Sequence, residues 1–240
     1  VQKLVHHPFE DAAAGPEDLL ARIQSIFEKE TLLQQKYGSV NVSHVNELSS
    51  LVPKPFFDES KLKDYIRYSS KTFDNDYIVW DEIENHDLIN VYIPFVNVNN
   101  FLLERFGSFE YKHFSTVLIT NLLSTYRYSE HPHIFIHLDR SRMYVVAISN
   151  NKLQLYNSFS FKTREDFLYY LLFAAEQLGM DPEHFELVLS GDIDKNSELY
   201  DIAYTYVRKT GLIENRFKYE FGTSVSESLK RKHMTLIHQY

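Results

Sequence analysis

HIFIHLDRSRMYVVAISNNKLQLYNSFSF, residues 133–161, is the stretch whose reading decides the fold. Three apolar runs, His133 to Leu138, Met143 to Ser149 and Lys152 to Phe161, are separated by two short polar breaks. Runs of this length, bounded by turn residues, predict three consecutive antiparallel strands. Asn150-Asn151 marks the second break, because asparagine tolerates the positive φ that a two-residue hairpin turn requires. Asp139 to Arg142 forms the first.

Downstream, Thr163 with Asp166 three residues on reads as a capping box that opens a helix ending at Gly179. Phe167, Tyr170, Leu171, Ala174 and Leu178 form its apolar face. Phe185 to Leu189 is short and apolar apart from Glu186, as expected of a central strand. A helix over about Asn196 to Arg208, a last strand near Phe217 to Phe221 and a helical tail from Ser224 complete the half. Strand, strand, strand, helix, strand, helix, strand is the order of an RNase H-like unit.

Upstream of Pro132 the pattern is less regular. Pro16 at the first helical position, with Glu17 and Asp18 at the positive end of the dipole, predicts a helix running to Tyr37 and stopped by Gly38. Ser39 to Val45 reads as a strand, Pro53 and Pro55 as loop, and Glu59 to Tyr68 as a helix. Tyr77 to Ile83 and Leu88 to Phe95 predict a hairpin turning at Glu84 to Asp87. Asn97 is the expected cap of a helix from Val98 to Phe106, followed by a strand at Phe109 to His113 and a helix from Thr116 to Tyr126. A complete RNase H-like unit would open with three strands, and only Val1 to Val5 offers a remnant of them. The expected organisation is therefore a first lobe over 1–130, incomplete at its front, and a second over 131–240.

Composition narrows the function. The chain has 240 residues and no cysteine, which excludes disulfides, thiolate zinc sites, iron–sulfur clusters and a cysteine nucleophile. Its 17 Tyr and 18 Phe supply ample core without a structural metal. Net charge is −8, and the one basic block is Lys230-Arg231-Lys232, so nucleic-acid binding is not expected. No apolar run reaches the roughly 18 residues of a membrane span, and a cytoplasmic protein is expected. No P-loop, Rossmann fingerprint, Gly-x-Ser-x-Gly or His-Glu-x-x-His occurs.

Leu153-Gln154-Leu155-Tyr156-Asn157-Ser158-Phe159, Thr163 through Tyr170, Leu189-Ser190-Gly191-Asp192-Ile193, and FEYKHFSTVLITNLL at Phe109–Leu123 together resemble domain-of-unknown-function family 3822, found mostly in Bacteroidetes. The resemblance covers most of the chain. It implies an actin-like ATPase fold of two lobes with mixed sheets flanked by helices, distantly like the cytoplasmic scaffold proteins of type II secretion and type IV pili. It implies no activity and no catalytic residue.

In an actin-like ATPase the first hairpin of a lobe carries an acidic residue and Gly-rich turns whose N–H groups cradle phosphates. Here the corresponding place reads Leu138-Asp139-Arg140-Ser141-Arg142, an aspartate without glycines. Gly191 and Asp192, after the fourth strand, occupy the second expected position. Asp139, Ser141, Gly191 and Asp192 are thus the candidates for a degenerate nucleotide cleft. The structural alternative is equally specific: Asp139 forms the turn, and Asp192 caps the next helix. ATP with Mg²⁺ is compatible but not favoured, and a bound cofactor is not expected. A metal-dependent nuclease reading would use Asp139, Asp192 and Glu165, but dipole complementation explains Glu165 and no basic groove accompanies them. His131, His133 and His137 share strand parity, and His6 and His7 adjoin, but neither set has metal-ligand spacing. The expectation is a non-catalytic scaffold with a protein partner.

Overall fold

The computed structural model describes residues 3–9, 15–67, 72–73, 75–214, 219–221 and 225–239. The chain separates into two compact units, Leu4–Val117 and Leu118–Gln239. The passage falls inside one helix, whereas the sequence expectation of a boundary at 130/131 places that helix wholly in the first lobe.

The first unit opens with α1 (Pro16–Lys29), with Pro16 at its first position and Glu17 and Asp18 in its first turn. The helix stops eight residues short of the expected Tyr37: Glu30 turns extended, and a 3₁₀ turn follows at Thr31–Gln34. Gln34 explains the stop, because its Nε2 donates to the carbonyls of Phe27 and Glu28, which the helix leaves unpaired. Phe27 meets Phe101 edge-on at 5.0 Å, so α1 packs on the later helix that carries Phe101.

β1 (Asn41–His44) and β2 (Ser49–Pro53) follow; β2 is a strand that the sequence did not predict, and its last residue, Pro53, falls in the expected loop. Its Pro53 ends an outer strand, where a missing N–H costs nothing. Of the helix expected over Glu59 to Tyr68, Glu59–Lys61 is a 3₁₀ turn and α2 is Leu62–Arg67; Tyr68 lies outside the described residues. β3 (Val79–Ile83) and β4 (Leu88–Tyr92) form the expected hairpin, with Asn85 and Asp87 at positive φ. α3 (Val96–Phe106) starts earlier than expected and is not capped by Asn97, whose amide donates to Pro16 O instead. β5 (Glu110–His113) runs directly into α4 (Phe114–Thr125). β2, β4 and β3 make one antiparallel sheet with β4 central, and β1 pairs parallel with β5. Val52, Ile66, Ile89, Val91 and Ile93 fill the sheet's core.

The second unit contains the decisive meander as expected: β6 (His133–Asp139), β7 (Arg142–Ser149) and β8 (Lys152–Ser160). Asn150 and Asn151 both take positive φ. α5 (Arg164–Gln177) carries the complete capping box of Thr163 and Asp166. β9 (Glu186–Gly191), α6 (Glu198–Tyr206) and β10 (Lys209–Leu212) follow. Among the described residues the last strand therefore lies earlier than expected. Of the anticipated Phe217 to Phe221, residues 217 and 218 lie outside the described residues and 219–221 carry no strand. Val1 and Gln2 are likewise outside, and Lys3 to Val5 carry none. α7 (Glu227–Lys232) and α8 (Met234–Ile237) form the helical tail.

Strand order is β10-β9-β6-β7-β8, with β9 parallel to both its neighbours. One face, from Ile134, Ile136, Leu138, Met143, Val145 and Ala147, packs on Phe167, Leu171 and Ala174 of α5 and Ala203 of α6. The opposite parity of β6, His133, Phe135 and His137, is also buried. A strand buried on both faces accounts for its nearly continuous apolar run.

Candidate functional site

Asp139, Ser141, Gly191 and Asp192 do come together, at one end of the five-stranded sheet. Leu138 is registered against Gly191 in the parallel β6–β9 pair, so Asp139 and Asp192 each follow a paired residue on adjacent strands. Asp139 pairs with Arg142, which leaves Arg140 and Ser141 as the whole turn, and Arg140 adopts φ 53°. An arginine there carries a conformation that glycine would adopt without cost.

The backbone groups at this end are largely used. Asp192 N–H donates to Leu138 O at 2.8 Å, and Phe161 N–H donates to Ser141 O at 2.9 Å. Gly191 has φ 86°, and a Cβ on it would overlap the Leu138 carbonyl oxygen and lie 2.7 Å from the Leu138 nitrogen. Its lack of a side chain is thus taken up by strand packing. Lys232 Nζ stands 3.0 Å from Asp192 Oδ2, so the tail helix α7, which packs on β9, brings a cation to the carboxylate. Asp192 is not the cap of α6, since Ser197 accepts from Tyr200 N–H. Glu165 pairs with its neighbour Arg164. Among the described residues no three acidic or histidine side chains converge to hold a metal ion.

His133, His137 and His7 have protein partners. His133 Nδ1 bonds His131 O at 2.8 Å, and its Nε2 lies 3.2 Å from Glu186 Oε2. His137 Nδ1 lies 3.1 Å from Ser190 Oγ, and burial, helped by nearby His233, pulls the ring down to about 4. His7 faces Glu30 at 3.4 Å.

A polar cluster that sequence reasoning missed lies in the first unit. Asp81 accepts from His113 N–H at 2.8 Å, Thr116 Oγ1 at 2.7 Å and Tyr92 OH at 3.1 Å. Asn90 Nδ2 donates to Ser115 Oγ at 2.9 Å and Thr116 Oγ1 at 2.8 Å. Ser115 N–H donates to His113 Nδ1, which fixes that nitrogen as acceptor and leaves Nε2–H to donate to Asn46 O at 3.2 Å. Burial raises the Asp81 carboxyl and lowers His113 to about 4. Asn90, His113 and Ser115 are fully buried, so the cluster fastens β3, β4 and β5 to the start of α4 and meets no substrate. One signal was available: Asn90 interrupts the apolar run Leu88-Ile89-Asn90-Val91-Tyr92 at a core position.

The first unit also has a mainly apolar cleft of about 900 Å³, lined by Leu48, Tyr77, Ile93, Pro94 and Phe95, with Glu17, Asp18 and Asp76 around it. Carboxylates at that position repel a polyphosphate.

Comparison with known proteins agrees with this architecture. No curated protein matches the chain significantly. A protein of Bacteroides thetaiotaomicron VPI-5482 with an actin-like ATPase fold and unknown function superposes with TM-score 0.74 at 20% identity, over 81% of this chain and 76% of that one. The PilM–PilN type IV pilus biogenesis complex gives TM-score 0.52 at 11% identity, over 94% of this chain and 84% of that one. The chain thus has the mixed α/β architecture of the actin-like ATPase fold. Its residues 3–210 match the family described as "Protein of unknown function (DUF3822)", and the chain belongs to that family.

Proposed function

We propose that this chain is a non-catalytic, cytoplasmic scaffold that has kept an actin-like fold of two RNase H-like lobes, 1–130 and 131–240, and lost productive phosphate binding. The observation that carries this reading is the end of the β6–β9 pair. The turn there holds Arg140 and Ser141 in place of glycines, and Asp192 N–H is already donated to Leu138 O. A phosphate cradle needs undonated N–H groups and close backbone approach, and glycine provides that approach. Lys232 further balances the Asp192 charge that a nucleotide-bound Mg²⁺ would otherwise use. The similar PilM structure is a complex with PilN, which supports a protein as the partner. The net charge of −8 speaks against nucleic acid. Among the described residues no helix is long and apolar enough to cross a membrane.

One observation favours a second reading, a nucleotide-binding ATPase with unusual loops: Asp139 and Asp192 stand at the ends of adjacent parallel strands, where such enzymes place their carboxylates. Titration calorimetry and thermal shift with Mg-ATP and Mg-GTP separate the two. No saturable stabilisation is expected. A saturable shift that Asp139→Ala abolishes would overturn the scaffold reading.

A further inference from the structure

The apolar cleft of the first unit is lined by residues whose polar groups are largely spent on one another. Ile93 N–H donates to Leu48 O at 3.0 Å, Asn46 Nδ2 donates to Ile93 O at 2.9 Å, and Leu48 N–H donates to Asn46 Oδ1 at 2.8 Å. Asn97 uses its amide in the same way: Nδ2 donates to Pro16 O at 2.7 Å, and Oδ1 accepts from Val98 N–H at 2.9 Å. Leu48, Ile93, Pro94 and Phe95 therefore offer a ligand mainly carbon surface. Two further lining rings lie largely in water, Phe73 at 64% and Tyr77 at 57% exposure. The remaining amide, Asn75, is exposed.

The charges around this surface have one sign. Glu17, Asp18 and Asp76 line the cleft, and among the described residues no lysine or arginine does. Asp18 is engaged by Arg22 at 2.8 Å, and Asp76 Oδ2 accepts from Phe73 N–H at 2.7 Å. Among the described residues no cation pairs with Glu17 or Asp76. The start of α1 adds the positive end of a helix dipole, equivalent to about half a unit charge. Two full negative charges on its first turn outweigh that, and Pro16 contributes no N–H. Ionised carboxylates only accept hydrogen bonds, so a ligand has to bring the donor and the positive charge.

We propose that this cleft binds a small organic ammonium ion, a molecule with an apolar, ring-bearing body and a protonated amine head. Its volume of about 900 Å³ suits one ligand of that kind. The body covers the carbon surface of Leu48, Ile93 and Phe95, which removes apolar area from water. The head is drawn to Glu17 and Asp76 and to the faces of Phe73 and Tyr77, since an aromatic face attracts a cation. A neutral molecule with the same body gains only the apolar part, and an anion is repelled. Charge thus decides which ligand the cleft takes, while the apolar walls set how much of it is covered.

Tryptamine, tryptophol and indole-3-acetate test this, because they share an indole body and carry a cationic, a neutral and an anionic head at neutral pH. Titrated into the full chain at low salt, tryptamine is expected to bind saturably and about tenfold more tightly than tryptophol, with indole-3-acetate weakest. Amide shifts in nuclear magnetic resonance spectra should cluster around Leu48, Tyr77 and Phe95. Glu17→Gln combined with Asp76→Asn removes two charges and keeps an acceptor at each place. It should bring tryptamine down to the affinity of tryptophol and leave tryptophol unchanged. Should the double variant not fold, as circular dichroism will show, Glu17→Gln alone changes only an exposed side chain and should weaken tryptamine about threefold. Equal binding of tryptamine and tryptophol, shifts centred elsewhere, or a tryptamine preference that survives the substitutions would each overturn the proposal.

Discussion

Gly191 lies against Leu138 so closely that no side chain fits between the two strands: a Cβ on Gly191 would sit 2.7 Å from Leu138 N and 2.9 Å from its carbonyl carbon. With φ at 86°, the glycine also occupies a conformation that side chains rarely adopt. Gly191 therefore holds the β6–β9 pair together at the end where Asp139 and Asp192 emerge.

Gly191→Ala should destabilise the chain by about 2–4 kcal/mol, from left-handed strain together with overpacking against backbone that cannot move aside. Asp192→Ala, which removes only a half-exposed ion pair to Lys232, should cost under about 1 kcal/mol. Urea denaturation of both variants checks the contrast, and equal costs would contradict it.

Asp81→Ala should cost about 3 kcal/mol, because it strands the His113 N–H, the Thr116 hydroxyl and the Tyr92 hydroxyl in a buried setting. Asp81→Asn keeps one acceptor and should lose about half as much. Chemical denaturation measures both.

Stability should fall as pH drops from 7 to 5. His113 and His137 are held neutral by burial, each at about 4 against 6.5 unperturbed, so the unfolded chain binds more protons across that window. The loss begins near 6.5, continues toward 4, and reaches about 2 kcal/mol per histidine by pH 5. Denaturation midpoints at pH 7 and pH 5 test this. His137→Gln, which keeps a polar group near Ser190, should remove one histidine's share of the slope.

Thr163→Ala removes the hydroxyl that accepts from Asp166 N–H at the start of α5 and should cost about 1 kcal/mol. For a chain of this size that is a fall of about 3 °C in Tm, readable by calorimetry.

The elements that the sequence made legible were those with a local cause. Asn150-Asn151 specifies its own turn, the Thr163–Asp166 box its own helix start, and the continuous apolar run of β6 its own burial. Elements with a distant cause were misplaced. α1 ends where Gln34 reaches back to it, β2 exists because β4 offers an edge to a strand ending in proline, and the start of α3 does not depend on Asn97. Lys209–Leu212 is too short to announce a strand and forms one because β9 has a free parallel edge beside it.

The candidate site divides in the same way. Sequence by itself determined the meander, helix and fourth strand of the second half, and the absence of glycines between Asp139 and Arg142 that argues against phosphate binding there. Tertiary structure alone decided that Asp139 and Asp192 emerge side by side, that Asp192 N–H is spent on Leu138, that Lys232 comes back to the Asp192 carboxylate, and that Gly191 serves strand packing. The physical reason is range. Turn conformation and helix capping depend on residues a few positions apart, whereas a hydrogen bond or ion pair between residues tens of positions apart exists only once packing has set the register between strands.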